Sequence, residues 1–131
     1  MLYKVIQRKN PLDRDSDGLF YAAPEYGEEM GIEELAAEIS KSCTLTVVDI
    51  VAVIEAFLDK MPQYLKMSSK IRLGNFGLFK LSFSANGRET EEAVNAKKDI
   101  TKMRILFTPS TALKDEISTA TFTKTVAKKK K

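Results

Sequence analysis

Cationic residues recur at alternate positions in three short segments of the second half of the chain. Within residues 70–83 and 100–107, lysine and arginine alternate with apolar residues. Successive side chains of a β-strand point to opposite faces, so this alternation predicts a sheet with one apolar and one basic face. A basic face can neutralise the phosphates of a nucleic acid. Its predicted members are Lys70, Arg72, Lys80, Lys102 and Arg104.

The division of charge along the chain supports this interpretation. Residues 1–69 hold 7 Lys/Arg against 12 Asp/Glu, whereas residues 70–131 hold 14 against 6. The cations therefore concentrate in the half that contains the predicted strands. Residues 128–131 are all lysine, a run of like charge that we expect to be disordered and able to approach any polyanion. The alternative is an ordinary sheet whose charged face is merely solvated.

An acidic turn near the start of the chain partly matches the pattern of a metal site. Asp13, Asp15, Asp17 and Gly18 have the spacing that opens an EF-hand calcium loop, in which alternate carboxylates converge on one cation. The bidentate glutamate of that loop would fall on Pro24, and the flanking segments have the pattern of strands. We favour the alternative of an aspartate-rich turn, in which the side chains bond their own backbone.

The composition of the chain disfavours an enzyme. The chain has no histidine and a single cysteine, Cys43, which excludes a Cys/His pair and an internal disulfide and disfavours zinc. No glycine-rich phosphate loop is present, so we expect no cofactor and no catalytic activity. No run of about eighteen apolar residues occurs and no signal-peptide pattern opens the sequence, so we expect a cytoplasmic protein without a membrane partner.

The periodicity of the remaining sequence predicts an α+β fold. Residues 3–9 and 19–23 form a predicted hairpin, and a helix is predicted from Ile32 by apolar residues at i, i+3, i+4 and i+7. A longer helix follows Thr46, which forms a predicted capping box with Asp49, and Pro62 should kink it or begin a new turn. Its apolar positions cover more than one stripe, which predicts that a second subunit shares the core.

The last elements are predicted from capping and from β-branched residues. Thr108 and Pro109 have the pattern of a cap followed by the first helical position, which predicts a short helix to residue 117. Residues 119–126 are rich in threonine and predict a strand, which could pair with the first hairpin. The polar segment 84–99 predicts a protruding, flexible β-arm.

A glycine-phenylalanine motif and its surroundings resemble a known family. Gly74, Phe76, Gly77 and Phe79 follow two helices and precede an arm, and the sequence Phe-Thr-Pro-Ser-Thr-Ala-Leu-Lys follows at 107–114. This order resembles the HU and integration host factor family of bacterial histone-like DNA-binding proteins, over about residues 30–118. The additional N-terminal hairpin and C-terminal strand resemble a divergent HU-related branch found in Bacteroides-like bacteria.

The resemblance implies an intertwined dimer that binds duplex DNA without sequence specificity, as a nucleoid-associated architectural protein. The helices would form the body, while the sheet and two arms would embrace the minor groove. The arm departs from the family pattern, because it has no proline and a net charge of −1. We therefore expect weaker binding than in standard members. The arm adds three predicted DNA contacts: Arg88, Lys97 and Lys98.

These inferences predict one HU-like domain over residues 1–127, with a hairpin extension (1–29), a core (30–118) and a C-terminal strand (119–127). Two alternatives stay open. An HU-shaped interaction module without DNA binding fits the acidic arm. A helix-turn-helix regulator would use residues 32–65, but its second helix carries three acidic residues and no arginine. Phe76 and Phe79 could stack on bases, although the neighbouring leucines favour a place in the core.

Overall fold

A computed structural model of the chain describes residues 1–12 and 17–125. In chain order the elements are β1 (Leu2–Arg8), β2 (Leu19–Pro24), α1 (Ile32–Ser40), α2 (Val47–Lys66), β3 (Ile71–Leu73), β4 (Gly77–Ala85), α3 (Ala96–Asp99), β5 (Ile100–Pro109), α4 (Thr111–Ser118) and β6 (Thr123–Lys124). The mixture of helices with two small sheets confirms the predicted α+β class. Asp13, Asp15 and the lysine run at 128–131 lie outside the described residues, so the predictions made for them stay predictions.

The backbone contacts divide the chain into two compact units. One comprises residues 1–29 together with residues from 117 onward, and the other comprises residues 30–116. The first unit contains a three-stranded sheet in the order β2-β1-β6. β1 and β2 form the predicted hairpin, with Tyr3 opposite Pro24 and Arg8 opposite Leu19. β6 pairs in parallel with the start of β1 over two residues only, a shorter strand than the sequence predicts.

The long helix of the second unit begins at a side-chain cap. The Thr46 hydroxyl accepts a hydrogen bond from the Asp49 N–H at 3.2 Å, which confirms the predicted capping box at the start of α2. α2 continues through Pro62 to Lys66, because losing one helical hydrogen bond does not end a helix of twenty residues. No helix among the described residues has the length and apolar content needed to cross a bilayer.

The last helix begins two residues later than predicted. β5 extends through Pro109, and the N–H of Leu113 donates to the Ser110 hydroxyl at 3.1 Å. Ser110 is therefore the cap of α4, and the prediction of Thr108 as the cap is wrong. The Ser110 hydroxyl also donates to the carbonyl of Asn75, so the start of α4 is bonded to the turn between β3 and β4.

The second unit buries few of its apolar side chains. Among the described residues of the whole chain, the buried hydrophobic side chains are Ala36, Ile50 and Leu65. Val53 in α2 is 61% exposed and Ile105 in β5 is 63% exposed. A domain of this size normally needs a larger core, because apolar burial is the main favourable term in folding.

Gly77 is buried at the point where β4 meets β5. A Cβ atom at this position would lie 2.5 Å from the Phe107 ring and 2.5 Å from the Thr108 carbonyl oxygen. The second glycine of the predicted motif is thus required by close packing. Gly74 serves a different purpose, since its φ of +48° turns the chain from β3 toward β4 in a conformation that L-residues rarely adopt.

We expect Gly77→Ala to lower the free energy of unfolding by about 1–3 kcal/mol, because the added methyl group collides with a ring and a backbone oxygen. Chemical denaturation of both proteins measures the difference. Gly87→Ala is the matched control, since nothing lies within 4 Å of a Cβ atom there. It should change stability by less than about 0.5 kcal/mol. Equal stability of the two variants would contradict this account.

Candidate nucleic-acid interface

Three of the predicted cations share one face of the β3-β4-β5 sheet. Arg72 pairs with Leu78, Lys80 pairs with Leu106, and Arg104 pairs with Ser82. Directly paired residues of an antiparallel sheet lie on the same face, as do residues two apart along one strand. Arg72, Lys80 and Arg104 therefore point to the same side, and all three are exposed. We call these three residues the basic face.

The basic face is free of acidic partners within the described part of the chain. No ion pair there involves Arg72, Lys80 or Arg104; the ion pairs found are Lys4–Glu25, Lys41–Glu38 and Arg88–Asp99. Arg104 donates from Nη1 to the Ser84 hydroxyl at 3.0 Å, a neutral partner that leaves its charge uncompensated. The basic face thus presents positive charge to solvent.

The two other predicted sheet cations are placed differently. Lys70 is exposed and immediately precedes β3. Lys102 lies in a β-bulge, because the register shifts between Ser82 and Ser84 so that Lys102 and Met103 stand opposite Phe83. Lys102 has a φ of +52°, a left-handed conformation that is typical of one class of bulge and uncommon for lysine. Simple alternation therefore does not place Lys102 beside Arg104.

The opposite face of the sheet is aromatic and apolar. Ile71, Phe79 and Phe107 form a row across the three strands, and the rings of Phe79 and Phe107 stack with centroids 4.6 Å apart. Phe76 also stacks on Phe107, with centroids 5.3 Å apart. Phe76 and Phe79 of the motif thus both stack on Phe107, and Phe79 is half-buried whereas Phe76 is 48% exposed.

The segment between β4 and β5 is a structured loop rather than a longer hairpin. Asp99 is fully buried and accepts hydrogen bonds on its Oδ1 atom from Arg88, at 2.9 Å from Nε and 2.5 Å from Nη2. The Asn95 N–H donates to Asp99 Oδ2 at 2.8 Å, and the Asn86 N–H donates to the Asp99 carbonyl at 2.9 Å. One residue therefore organises residues 86–99, which we call the arm loop. The predicted arm falls on this segment, and its flexibility stays a prediction.

Lys97 and Lys98 lie in α3, a single helical turn inside the arm loop. The turn begins at Asn95, whose side chain accepts a hydrogen bond from the Lys97 N–H at 2.9 Å, and it ends at Asp99. Both lysines are exposed. Periodicity cannot detect a helix of four residues, and the only sequence signal was the capping residue Asn95 before a good helix-forming pair.

Arg88 differs from the other predicted contacts because its charge is already paired. Its side chain is 43% exposed, yet two of its donors are bound to a carboxylate with no exposed surface. This hydrogen bond, and to a lesser extent the Asn95 N–H, lowers the pKa of Asp99, while burial opposes the shift. The same hydrogen bond and the nearby negative charge raise the pKa of Arg88. Both groups are charged at neutral pH.

Comparison with protein families identifies the type of domain. A family described as HU-HIG, an HU domain fused to wHTH, Ig, or Glycine-rich motif, matches residues 1–124. The chain belongs to the HU-HIG family. The match includes the N-terminal hairpin and β6, the two additions that the sequence resemblance assigned to a divergent HU-related branch. No curated protein matches the chain significantly.

Solved structures show the same HU fold. A candidate bacterial DNA-binding protein from Bacteroides vulgatus is similar at 14% identity with a TM-score of 0.61, and the match covers 94% of this chain but 47% of that protein. The chain therefore spans about half the length of that relative. HU from Anabaena, crystallised with DNA, is similar at 19% identity with a TM-score of 0.54, over 70% of this chain and 100% of that protein.

The lowered pKa of Asp99 predicts how the arm loop of this HU-HIG domain responds to acid. A carboxylate with a lowered folded-state pKa stabilises the loop at every pH above its unfolded value of about 3.9, and the stabilisation is lost as the pH falls through the folded value. We expect the Asn86 and Asn95 amides to keep constant exchange protection from neutral pH to about pH 5. Protection should fall only in stronger acid, as measured by hydrogen exchange with NMR detection.

Amides of the β4-β5 ladder provide the internal control for that experiment. Those that pair Leu78 with Thr108, in register with the hydrogen bond from the Ser110 N–H to the Phe76 carbonyl, lie outside the arm loop and should remain protected while Asn86 and Asn95 open. Loss of arm-loop protection near pH 6, far above the titration range of the paired carboxylate, would contradict the assignment.

Proposed function

We propose that the chain binds duplex DNA without sequence specificity, and that the basic face is its main contact surface. The observation that carries this proposal is the strand register, which brings Arg72, Lys80 and Arg104 to one exposed side of the sheet without acidic partners among the described residues. Phosphate neutralisation by such cations releases counterions and supplies most of the free energy of nonspecific binding. The role is architectural rather than catalytic, in the cytoplasm and on the nucleoid.

The side chains around the basic face favour contact with phosphates over recognition of bases. The paired and neighbouring residues on this side are Leu78, Ser82, Leu106 and Thr108, which offer short hydroxyls and aliphatic groups. None carries the amide or carboxylate that reads a base edge, and the aromatic rings lie on the other face. Contacts to phosphate oxygens position a protein on DNA without selecting a sequence.

The similarity to known structures supports the proposal at the level of the fold. The Anabaena HU, which was crystallised with DNA, is matched over its whole length by this chain. At 19% identity the similarity shows the fold, and DNA binding by this chain is our proposal. We also propose four secondary contacts to DNA, at Lys70, Lys97, Lys98 and Lys102.

We further propose that the functional unit is a homodimer. The chain exposes large apolar side chains on α2 and on the aromatic face of the sheet, including Phe57, Phe83 and Ile105. An exposed apolar surface this extensive on a folded domain marks an association surface. A second copy that covers these side chains would complete a core that one chain leaves open.

Reversal of charge on the basic face tests the DNA-binding proposal. We expect Lys80→Glu with Arg104→Glu to weaken binding to a duplex and to reduce the slope of log affinity against log salt by about 0.9 for each phosphate that the variant no longer neutralises. Fluorescence anisotropy on one labelled duplex at several salt concentrations measures both quantities. Circular dichroism should show the same fold.

The matched control is Lys9→Glu with Lys60→Glu, which produces the same change in net charge at exposed positions after β1 and in α2. This variant should lose much less affinity, because long-range repulsion alone is screened beyond about 8–10 Å at ordinary salt. An equal loss in the two variants would mean that net charge, rather than the basic face, determines binding.

A charge on the aromatic side of the sheet tests the homodimer. We expect Ile105→Asp to shift the chain from dimer to a poorly folded monomer, since few apolar residues are buried within one described chain. Analytical ultracentrifugation over a range of concentrations measures the equilibrium. Leu12→Glu is the control, because Leu12 is highly exposed in the other unit and should not alter the association. A monomeric, stable wild-type chain would refute the proposal.

A second candidate function is an HU-shaped interaction module with weak or no DNA binding. The observation that favours it is the arm loop, where Arg88 is bound to Asp99 and the exposed glutamates Glu89, Glu91 and Glu92 outnumber the two lysines. Such a surface repels phosphate unless the lysines are held toward it. Absence of duplex binding by the wild-type chain at low salt would select this second candidate.

A further inference from the structure

We propose that Arg88 is a positioning residue, which acts through buried Asp99 to hold Lys97 and Lys98 in place for contact with DNA, and that it is not itself a phosphate ligand. This inference rests on the proposed DNA binding and adds to it a mechanism for the arm loop. It assigns Arg88 a role different from the one that its charge suggests in the sequence.

The hydrogen bonds of Arg88 make it a poor phosphate ligand. Two of its five donors, from Nε and Nη2, are directed at Asp99 Oδ1. A phosphate that drew the guanidinium away would leave a fully buried carboxylate without its cation. An unpaired buried charge is strongly destabilising, so DNA would have to compete against this penalty.

Asp99 in turn controls the shape of α3. Its Oδ2 accepts from the Asn95 N–H at the start of the turn, while Asp99 itself is the last residue of the turn. A helix of four residues has no stability of its own, because the cost of nucleation is not recovered in a single turn. The carboxylate therefore connects both ends of a segment that would otherwise be disordered, and Lys97 and Lys98 lie between those ends.

The charge of the arm loop explains why position matters there. With Arg88 and Asp99 compensating each other, two lysines remain against three glutamates. The sum is negative, so undirected electrostatic attraction cannot draw the loop to DNA. A favourable contact requires that the lysines lie closer to phosphate than the glutamates do. A preorganised loop already has this arrangement, so it loses no further conformational entropy when it binds.

Asp99→Asn and Glu92→Gln separate positioning from simple electrostatics, because each removes one negative charge from the arm loop. If only charge mattered, both variants would bind duplex DNA more tightly than wild type. We expect Asp99→Asn to bind about tenfold more weakly, the scale of an interaction coupled through a shared network. Asparagine keeps one acceptor oxygen but replaces the other with an NH2 donor, so it cannot accept from both Arg88 and the Asn95 N–H. Glu92→Gln should bind equally or more tightly.

Two further variants test the role of Arg88 and the route of its effect. Arg88→Lys keeps the charge, so it would preserve affinity if Arg88 bound phosphate, whereas positioning predicts a loss like that of Asp99→Asn. In a background of Lys97→Gln with Lys98→Gln, the substitution Asp99→Asn should cause no additional loss. A full additional loss in that background would overturn the proposal, because Asp99 would then act by another route.

Hydrogen exchange without DNA provides the structural readout. The Asn86 and Asn95 amides should lose protection in Asp99→Asn while the amides of the β4-β5 ladder keep theirs, which also shows that the variant is folded. If the wild-type chain binds duplex DNA and Asp99→Asn has the same affinity as Glu92→Gln, this inference alone is overturned. Failure of the wild-type chain to bind duplex DNA would overturn the proposed function and this inference together.

Discussion

The antiparallel pairing of β4 with β5 is the constraint on which the rest of the second unit depends. This ladder aligns Phe79 with Phe107 and thereby builds the aromatic face. The same register places Lys80 and Arg104 on the reverse side. Gly77 permits the two strands to approach at the place where the Phe107 ring and the Thr108 carbonyl leave no room for a side chain. An aromatic face and an opposite face that carries Lys80 and Arg104 both follow from this pairing.

The sequence predicted the features that local periodicity encodes. Alternation along β3, β4 and β5 indicated the two faces, and the pair Thr46 and Asp49 indicated the start of α2, since both signals lie within a few residues. The glycine-phenylalanine motif indicated the family, which the match over residues 1–124 confirms. These signals sufficed for the fold class and for three of the five cations predicted on the sheet.

The remaining features depend on partners that are distant in sequence or on irregular backbone. Asp99 counted as one more acidic charge of the arm, because nothing local reveals that Arg88, eleven residues earlier, is its partner. The bulge at Lys102 interrupts an alternation that looks regular in the sequence. Ser110 replaces Thr108 as a helix cap because β5 continues through Pro109, and the end of a strand is set by its neighbour across the sheet.

The β-bulge has a consequence for the two halves of β5. Before it, Ile100 stands opposite Ala85 and Thr101 opposite Ser84, whereas after it Arg104 stands opposite Ser82. One additional residue thus reverses the parity of the strand, so that odd-numbered residues face one way on one side of the bulge and the other way beyond it. The bulge thereby keeps one polar and one apolar side along the whole of β5, with Thr101 on the side of Arg104 and Ile100 on the side of Ile105.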